Sequence, residues 1–490
     1  MKELIRDFLS SKKYMFILSL VTVVTWLFNA PMIALFFALL SISLIYYFKA
    51  KEGALLCSVF MIFAGAWSIH FDYHEIKDIV GLVLAIPIGI FASYLIIKDI
   101  VINHKLYANK IKDNYVLYSL LLIFVVMLLS LISYSYNNVS IKHFFNSLGY
   151  IVSLLTLPLF GFISLLKMDN KKKNLDNILF PFVIIIFTIF VEMMLRLGYV
   201  AYNIYNEKTI LSSDNHFIYT QKSYILFDSF IDNLKEAISK KEVSLFWELC
   251  NHYVGLVMIS LSMVVYLILK TKDKCTKILS SFAVIMALII FILSTCRASW
   301  LGLASVAVLF MYVIINNYFK EKYVFKLNVI FTSIVGVCVI LGIILLLTKK
   351  ISFDLNGRDY LYDKAHEIFY RYPLLGSGAG TSHYQLIDTE GGAVYNYHNL
   401  FYQAASDTGI IGLIVLMTFI IAVSFRIYNN KSFFSYFVMF SFIYLLSHGL
   451  ADNVIHNQTI MPFLIYIIML LPKENNPYIT LYGYKNLNFE

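Results

Sequence analysis

Long apolar runs, broken by short polar stretches that carry most of the lysines, organise this chain from end to end. The runs fall at roughly 14–29, 31–48, 54–69, 79–97, 115–134, 147–166, 178–197, 246–269, 278–296, 299–316, 327–348, 399–425, 432–449 and 459–472. Most are of the length, about 17–25 residues, that carries a helix across a hydrocarbon core of about 30 Å. Strands of a membrane barrel would instead alternate apolar and polar positions over about ten residues. The pattern therefore predicts an all-α polytopic membrane protein with about 14 transmembrane helices (12–14). Two polar segments, 198–245 and 349–398, are long enough to be extracytoplasmic loops with structure of their own.

Composition agrees: 60% of the chain is hydrophobic and 14% charged, against about 25% charged in a soluble domain. Lysine and arginine set the orientation, because cytoplasmic loops retain them. With the N-terminus inside, the cytoplasmic segments hold 25 of the 39 Lys and Arg and the short outer loops hold 3. Both termini are thus expected in the cytoplasm, with 198–245 and 349–398 outside. The net charge of +9 becomes a topology signal, helped by anionic lipid, and calls for no nucleic-acid partner. The N-terminal stretch resembles the basic and apolar regions of a signal peptide but lacks a small-residue cleavage site, so it reads as a retained first span. Five scattered cysteines without CxxC spacing indicate free thiols and no zinc site. The chain divides into an N-terminal transmembrane region with its outer loop (1–245), a second transmembrane region (246–472) and a cytoplasmic tail (473–490).

Candidate chemistry gathers on the outer face. In "LSTCRASWLG", Arg297 stands between two apolar runs, where a charge needs a partner or an aqueous surface. In the second outer segment, Leu361, Ala365, Ile368, Phe369 and Tyr372 recur at helical spacing. Asn356 can cap that helix and Pro373 stops it, which predicts an amphipathic surface helix with Arg358 at its head. "GSGAG" follows, with Gly376, Gly378 and Gly380. No strand precedes it and no Lys-Ser/Thr follows, so a nucleotide loop is excluded in favour of a turn or a backbone nest facing an anion. His398 and Asn399 close the segment, where the polar loop turns into the next span.

Taken together, Arg297 after "STC", Arg358 in "NGRDYLYDKAHEIFYRYPLLGSGAG" and "YHNLFYQAASDTGIIGL" resemble the O-antigen ligase and polymerase superfamily over roughly residues 280–425. The element at Arg297 departs from that family in reading Thr-Cys-Arg, and Tyr362 stands near the family's usual tryptophan. The resemblance implies an inverting glycosyltransferase on the outer face of the cytoplasmic (inner or plasma) membrane. Its donor and acceptor would be oligosaccharides linked to undecaprenyl diphosphate. Arg297 and Arg358 would hold the diphosphate, since guanidinium groups suit bidentate phosphate contact. His398 would act as general base. Asn399, Gly376, Gly378 and Arg371 are the weaker candidates for substrate contact. No cofactor is expected, and no acidic metal motif lies on the outer face, so the reaction is expected to need no metal. A flippase and a chain-length regulator are the implied protein partners. Chain length and span number favour a polymerase of capsular, exopolysaccharide or O-antigen repeats. A ligase onto lipid A core, a transferase onto protein hydroxyls and a flippase are the alternatives.

Other charged groups have blander readings. Glu192 and Arg196, four residues apart, are spaced for an ion pair. His448, Asp452 and His456 follow one span at i, i+4 spacing, which leaves a metal, a lid or an acceptor contact open. His366 and Arg371, on the surface helix, are expected to face water or headgroups.

Overall fold

The computed structural model describes residues 1–28, 30–50, 53–66, 76–105, 108, 114–135, 144–145, 147–148, 151, 175–205, 210–211, 218–219, 250–294, 296–318, 323–324, 326–334, 358–382, 397–430, 432–452 and 460–471. The regular structure among these residues is helical apart from a two-residue antiparallel pair, Ile210–Leu211 with Ile218–Tyr219. In chain order the helices are α1 (Lys2–Leu9), α2 (Lys12–Leu27), α3 (Pro31–Phe48), α4 (Gly53–Ala66), α5 (Ile76–Ile102), α6 (Tyr115–Ser130) and α7 (Leu175–Tyr205). There follow α8 (Cys250–Lys270), α9 (Lys274–Leu293), α10 (Arg297–Tyr318), α11 (Arg358–Arg371), α12 (Leu400–Asn430), α13 (Phe433–Gly449) and α14 (Met461–Met469).

Among the described residues eight helices are long and apolar enough to cross a membrane, or nine with α1 and α2 taken as one span bent by 62°. The expected count of 14 is therefore not reached. The expected spans at 54–69, 432–449 and 459–472 are helices of 14, 17 and 9 residues. Those at 147–166 and 327–348 lie largely outside the described residues.

The most buried helices are α7, α8 and α14; every residue of α14 is buried. The outer helices keep apolar side chains exposed, as Val83, Ile90 and Val101 are on α5. That apolar shell suits a surrounding hydrocarbon phase, in which every backbone polar group must be satisfied within the protein.

Helix ends sort into two groups at opposite ends of the bundle. At one end Lys12 Nζ meets Asp273 Oδ2 at 2.8 Å and also bonds Thr276. Thr271 Oγ1 donates to Asp176 Oδ2 at 2.8 Å, and Arg426 donates to the Leu471 carbonyl. Ser11, Asn114, Asp273 and Ser432 cap α2, α6, α9 and α13 there, each accepting from an N–H of the first turn. At the other end lie Ser130, Cys296, Ala379, His398 and Asp452, joined by the contacts described next.

Candidate functional site

Two helix starts meet the C-terminal end of α13, and a third helix packs beside one of them. The first is the start of α10, whose first residue is Arg297. Just before it, the Cys296 Sγ lies 3.9 Å from His448 Nε2, and both residues are fully buried. One turn into α10, Ser299 accepts a hydrogen bond from the Tyr444 hydroxyl at 3.0 Å. Gly302 lies against the Tyr444 ring, where a Cβ would come within 2.6 Å of ring carbon. The backbone at Arg297 is thereby fixed to α13. The Arg297 side chain lies outside the described residues.

The second is the start of α12. Asn399 caps it: its Oδ1 accepts from Phe401 and Tyr402 N–H, while its Nδ2 donates to the Leu450 carbonyl at 2.8 Å. His398, immediately before, has a φ of +48°, a left-handed conformation uncommon for a residue other than glycine. Its Nδ1 lies 3.1 Å from Asp452 Oδ1. The Asp452 side chain is 1% exposed and the His398 side chain 22%. A carboxylate accepting from Nδ1–H fixes the imidazole tautomer and leaves the Nε2 lone pair free to accept a proton.

The third is α11, the expected surface helix, observed from Arg358 to Arg371. Leu361, Ala365 and Ile368 bury against Tyr397, with Tyr362, Tyr372 and Tyr402 packed around them. Burial pushes the Tyr397 phenol well above its ordinary range. Arg358 is the first residue of α11; its side chain, like that of Arg297, lies outside the described residues. Whether the two guanidinium groups flank His398 is therefore not described.

The glycine loop is bound to a break in α12. Gly409, at φ +65° and ψ −162°, interrupts the helix inside the apolar span. The loop bonds to four of the backbone groups on either side of the break. Ile410 and Ile411 N–H donate to the carbonyls of Pro373 and Leu374, and Ser377 and Gly378 N–H donate to those of Ser406 and Asp407. Gly376 has a φ of +69°, and a Cβ on it would meet the Asp407 backbone at 2.4 Å. Gly376 N–H is bonded to Tyr372 O, Ala379 N–H to Ser130 Oγ and Gly380 N–H to Asp407 Oδ2. The loop is thus neither a free turn nor an open anion nest: its N–H groups are engaged inside the protein.

Beneath the loop, Gln403 bridges the pieces. It accepts from Tyr397 N–H and donates to Ser382 Oγ and Asp407 Oδ2 at 2.7 Å. The second Asp407 oxygen has no hydrogen-bond partner among the described residues, and Asp407 borders a cavity of about 20 Å³ lined by Ile123, Met127 and Gly412, among others.

Sequence reasoning brought His398, Asn399 and the surface helix to this end but missed three partners. Asp452 is 54 residues from the histidine it holds, and no periodicity links them. Gln403 and Asp407 lay inside what reads as an ordinary span. Arg371 is exposed at the end of α11, its guanidinium 5.6 Å from the Tyr372 ring centre. The Glu192 side chain is fully buried, and the Arg196 side chain, its expected partner, lies outside the described residues. His456 lies outside the described residues, and no three His, Cys, Asp or Glu among those described gather as ion ligands. Residues 282–417 match a family model described as O-Antigen ligase, and no curated protein matches the chain.

Proposed function

On the premise that residues 282–417 are those of the O-antigen ligase/polymerase superfamily, whose members are glycosyltransferase-like enzymes, we propose that the chain polymerises lipid-linked repeat units. The donor is a glycan on undecaprenyl diphosphate, and the acceptor is a hydroxyl of the next unit. The observation that carries this reading is the His398–Asp452 pair: a half-buried imidazole oriented by a buried carboxylate at 3.1 Å. The histidine stands two residues before the first residue of α12 and among elements fastened to the start of α10.

His398 Nε2 takes the proton of the acceptor hydroxyl as its oxygen attacks the anomeric carbon. The bond from that carbon to the diphosphate oxygen breaks, and its electron pair leaves with the diphosphate. Attack opposite the leaving group inverts the anomeric centre. Arg297 and Arg358, each the first residue of its helix, hold the diphosphate and stabilise the charge that develops on it. A helix start adds free N–H groups and the positive end of the dipole to that task. Asn399 and Arg371 border the acceptor, and Gly376 and Gly378 support the site from below. The residues present supply acid–base and electrostatic groups, and the step as written draws on no cofactor or metal.

Orientation belongs to the same proposal. The end rich in Lys12, Lys270 and Arg426 faces the cytoplasm, in keeping with the retention of basic residues inside. The His398 end faces outward, where a flippase delivers the units and a chain-length regulator acts on the product. The family description favours a second reading, a ligase that transfers a finished chain to lipid A core.

One experiment separates the two. In cells whose own copy is replaced by His398→Gln, the polymerase reading expects single repeat units to accumulate on the carrier lipid. The ligase reading expects full-length polymer to accumulate there instead. Normal surface polymer from that variant removes His398 from the chemistry.

A further inference from the structure

One face of α11 carries a row of aromatic rings that starts at the edge of its buried seam and runs out to the surface. Positions 362, 366 and 370 follow one another at a spacing of four and so share a stripe on the helix. Tyr362 stacks on Tyr402 of α12, with ring centres 4.7 Å apart and planes at 25°. His366 touches Tyr402 edge-on at 5.1 Å and shares a 3.2 Å hydrogen bond with its hydroxyl. Tyr370 then lies nearly parallel to His366 at 6.4 Å and is 79% exposed. The row extends about 12 Å along the helix at 1.5 Å per residue. It begins at Tyr402, four residues after His398 in the chain.

The buried seam of Leu361, Ala365 and Ile368 borders the stripe on one side. Asp363 and Glu367, both exposed, border it on the other. That setting decides what the row can hold. A face meant for acyl chains would not set two carboxylates along its edge, because burying them in hydrocarbon is costly. A pyranose ring, by contrast, offers a C–H face to an aromatic ring and hydroxyls around its rim to carboxylates, imidazole and phenol groups.

We propose that Tyr362, His366, Tyr370 and Tyr402 form a binding stripe for the sugar rings of the glycan that reacts at His398. The proposal rests on the glycan-transfer reading of that site. It adds where the chain lies beyond the reacting sugar.

The test uses the full chain in lipid nanodiscs. The probe is the set of oligosaccharides that mild acid releases from the carrier lipid of cells lacking this protein. They bear no diphosphate, so the arginines do not dominate their binding. Tyr370→Ala is expected to weaken binding about 2- to 10-fold, the range of a single aromatic contact, and to shorten the polymer made in cells. Tyr370→Trp should hold both, and Tyr370→Leu should fail as the alanine variant does. Unchanged binding in Tyr370→Ala would overturn the proposal. So would a leucine variant equal to tyrosine, which would make the row a membrane contact. His398→Ala should lose polymer yet bind the oligosaccharides normally. Full polymer from that variant would sink the transfer mechanism while leaving the binding result to stand or fall on Tyr370.

Discussion

The two ends of the bundle are both rich in polar groups, yet they use them in opposite ways. At the Lys12 end, capping residues and the Lys12–Asp273 pair sit at helix starts with water at hand; Asp273 is 45% exposed. The ion pair there joins helix starts far apart in sequence but lies at the surface, where such pairs are worth little. At the His398 end, polar groups are buried and shared between distant segments. Asp452 is held inside the fold, Gln403 serves three partners, and one Asp407 oxygen has none among the described residues. A break in a span is tolerated only where other protein groups satisfy it, and residues 373–378 do this. The first arrangement secures helix ends. The second fixes the direction of side chains, at the cost of a left-handed backbone at His398.

Substitutions can break or sharpen that contrast. The largest effect is expected at His398: replacement by alanine should lower turnover about 10²–10⁴-fold, the usual share of general-base catalysis, with the protein still inserted. An assay of chain extension in vesicles reads this directly. Gly376→Ala comes next, because a Cβ would enter the α12 backbone at a left-handed φ. A loss of about 3 kcal/mol or more is expected, seen as a lowered melting temperature in detergent; an unshifted transition would mean that the loop yields easily. Asp452→Asn should keep the fold but release the imidazole tautomer, costing about tenfold in turnover with little change in melting temperature. Equal loss of stability and activity would make Asp452 a structural residue only.

The smallest effect is expected at the other end. The Lys12 and Thr276 hydrogen bonds hold the Asp273 carboxyl below its ordinary range. A depressed folded-state value adds stability above the unfolded pKa of about 3.9 and loses it as pH falls through the depressed value. Lys12→Ala should therefore barely move the melting temperature at neutral pH, and any difference from the parent should vanish in acid. A large shift at neutral pH would erase the distinction between the two ends.

Much of the architecture was legible because membrane burial writes itself into local composition. Apolar length marks the spans, and Asp273 or Ser432 at the edge of a run marks a helix start. The surface helix was legible for the same reason: Leu361, Ala365 and Ile368 repeat at the period of the helix that buries them. What escaped depends on separation. Nothing local in "SHGLADN" says that Asp452 meets His398, and nothing in "SDTGIIG" says that the helix breaks at Gly409. The glycines of "GSGAG" could be read as turn or nest, since only the position of α12 decides which acceptors their N–H groups meet.

The stitched break in α12 also bears on how the protein is made. A helix emerging alone into a bilayer with Gly409 in this conformation would present the carbonyls of Ser406 and Asp407 and the N–H groups of Ile410 and Ile411 to hydrocarbon. Each would cost several kcal/mol. Residues 373–378 are the groups that relieve this, and they are synthesised just before α12. Insertion of that span in its final shape and docking of the loop beside His398 are therefore one event in biogenesis. A chain that fails to seat the loop leaves a span that quality-control proteases can recognise, and it never presents a half-built site.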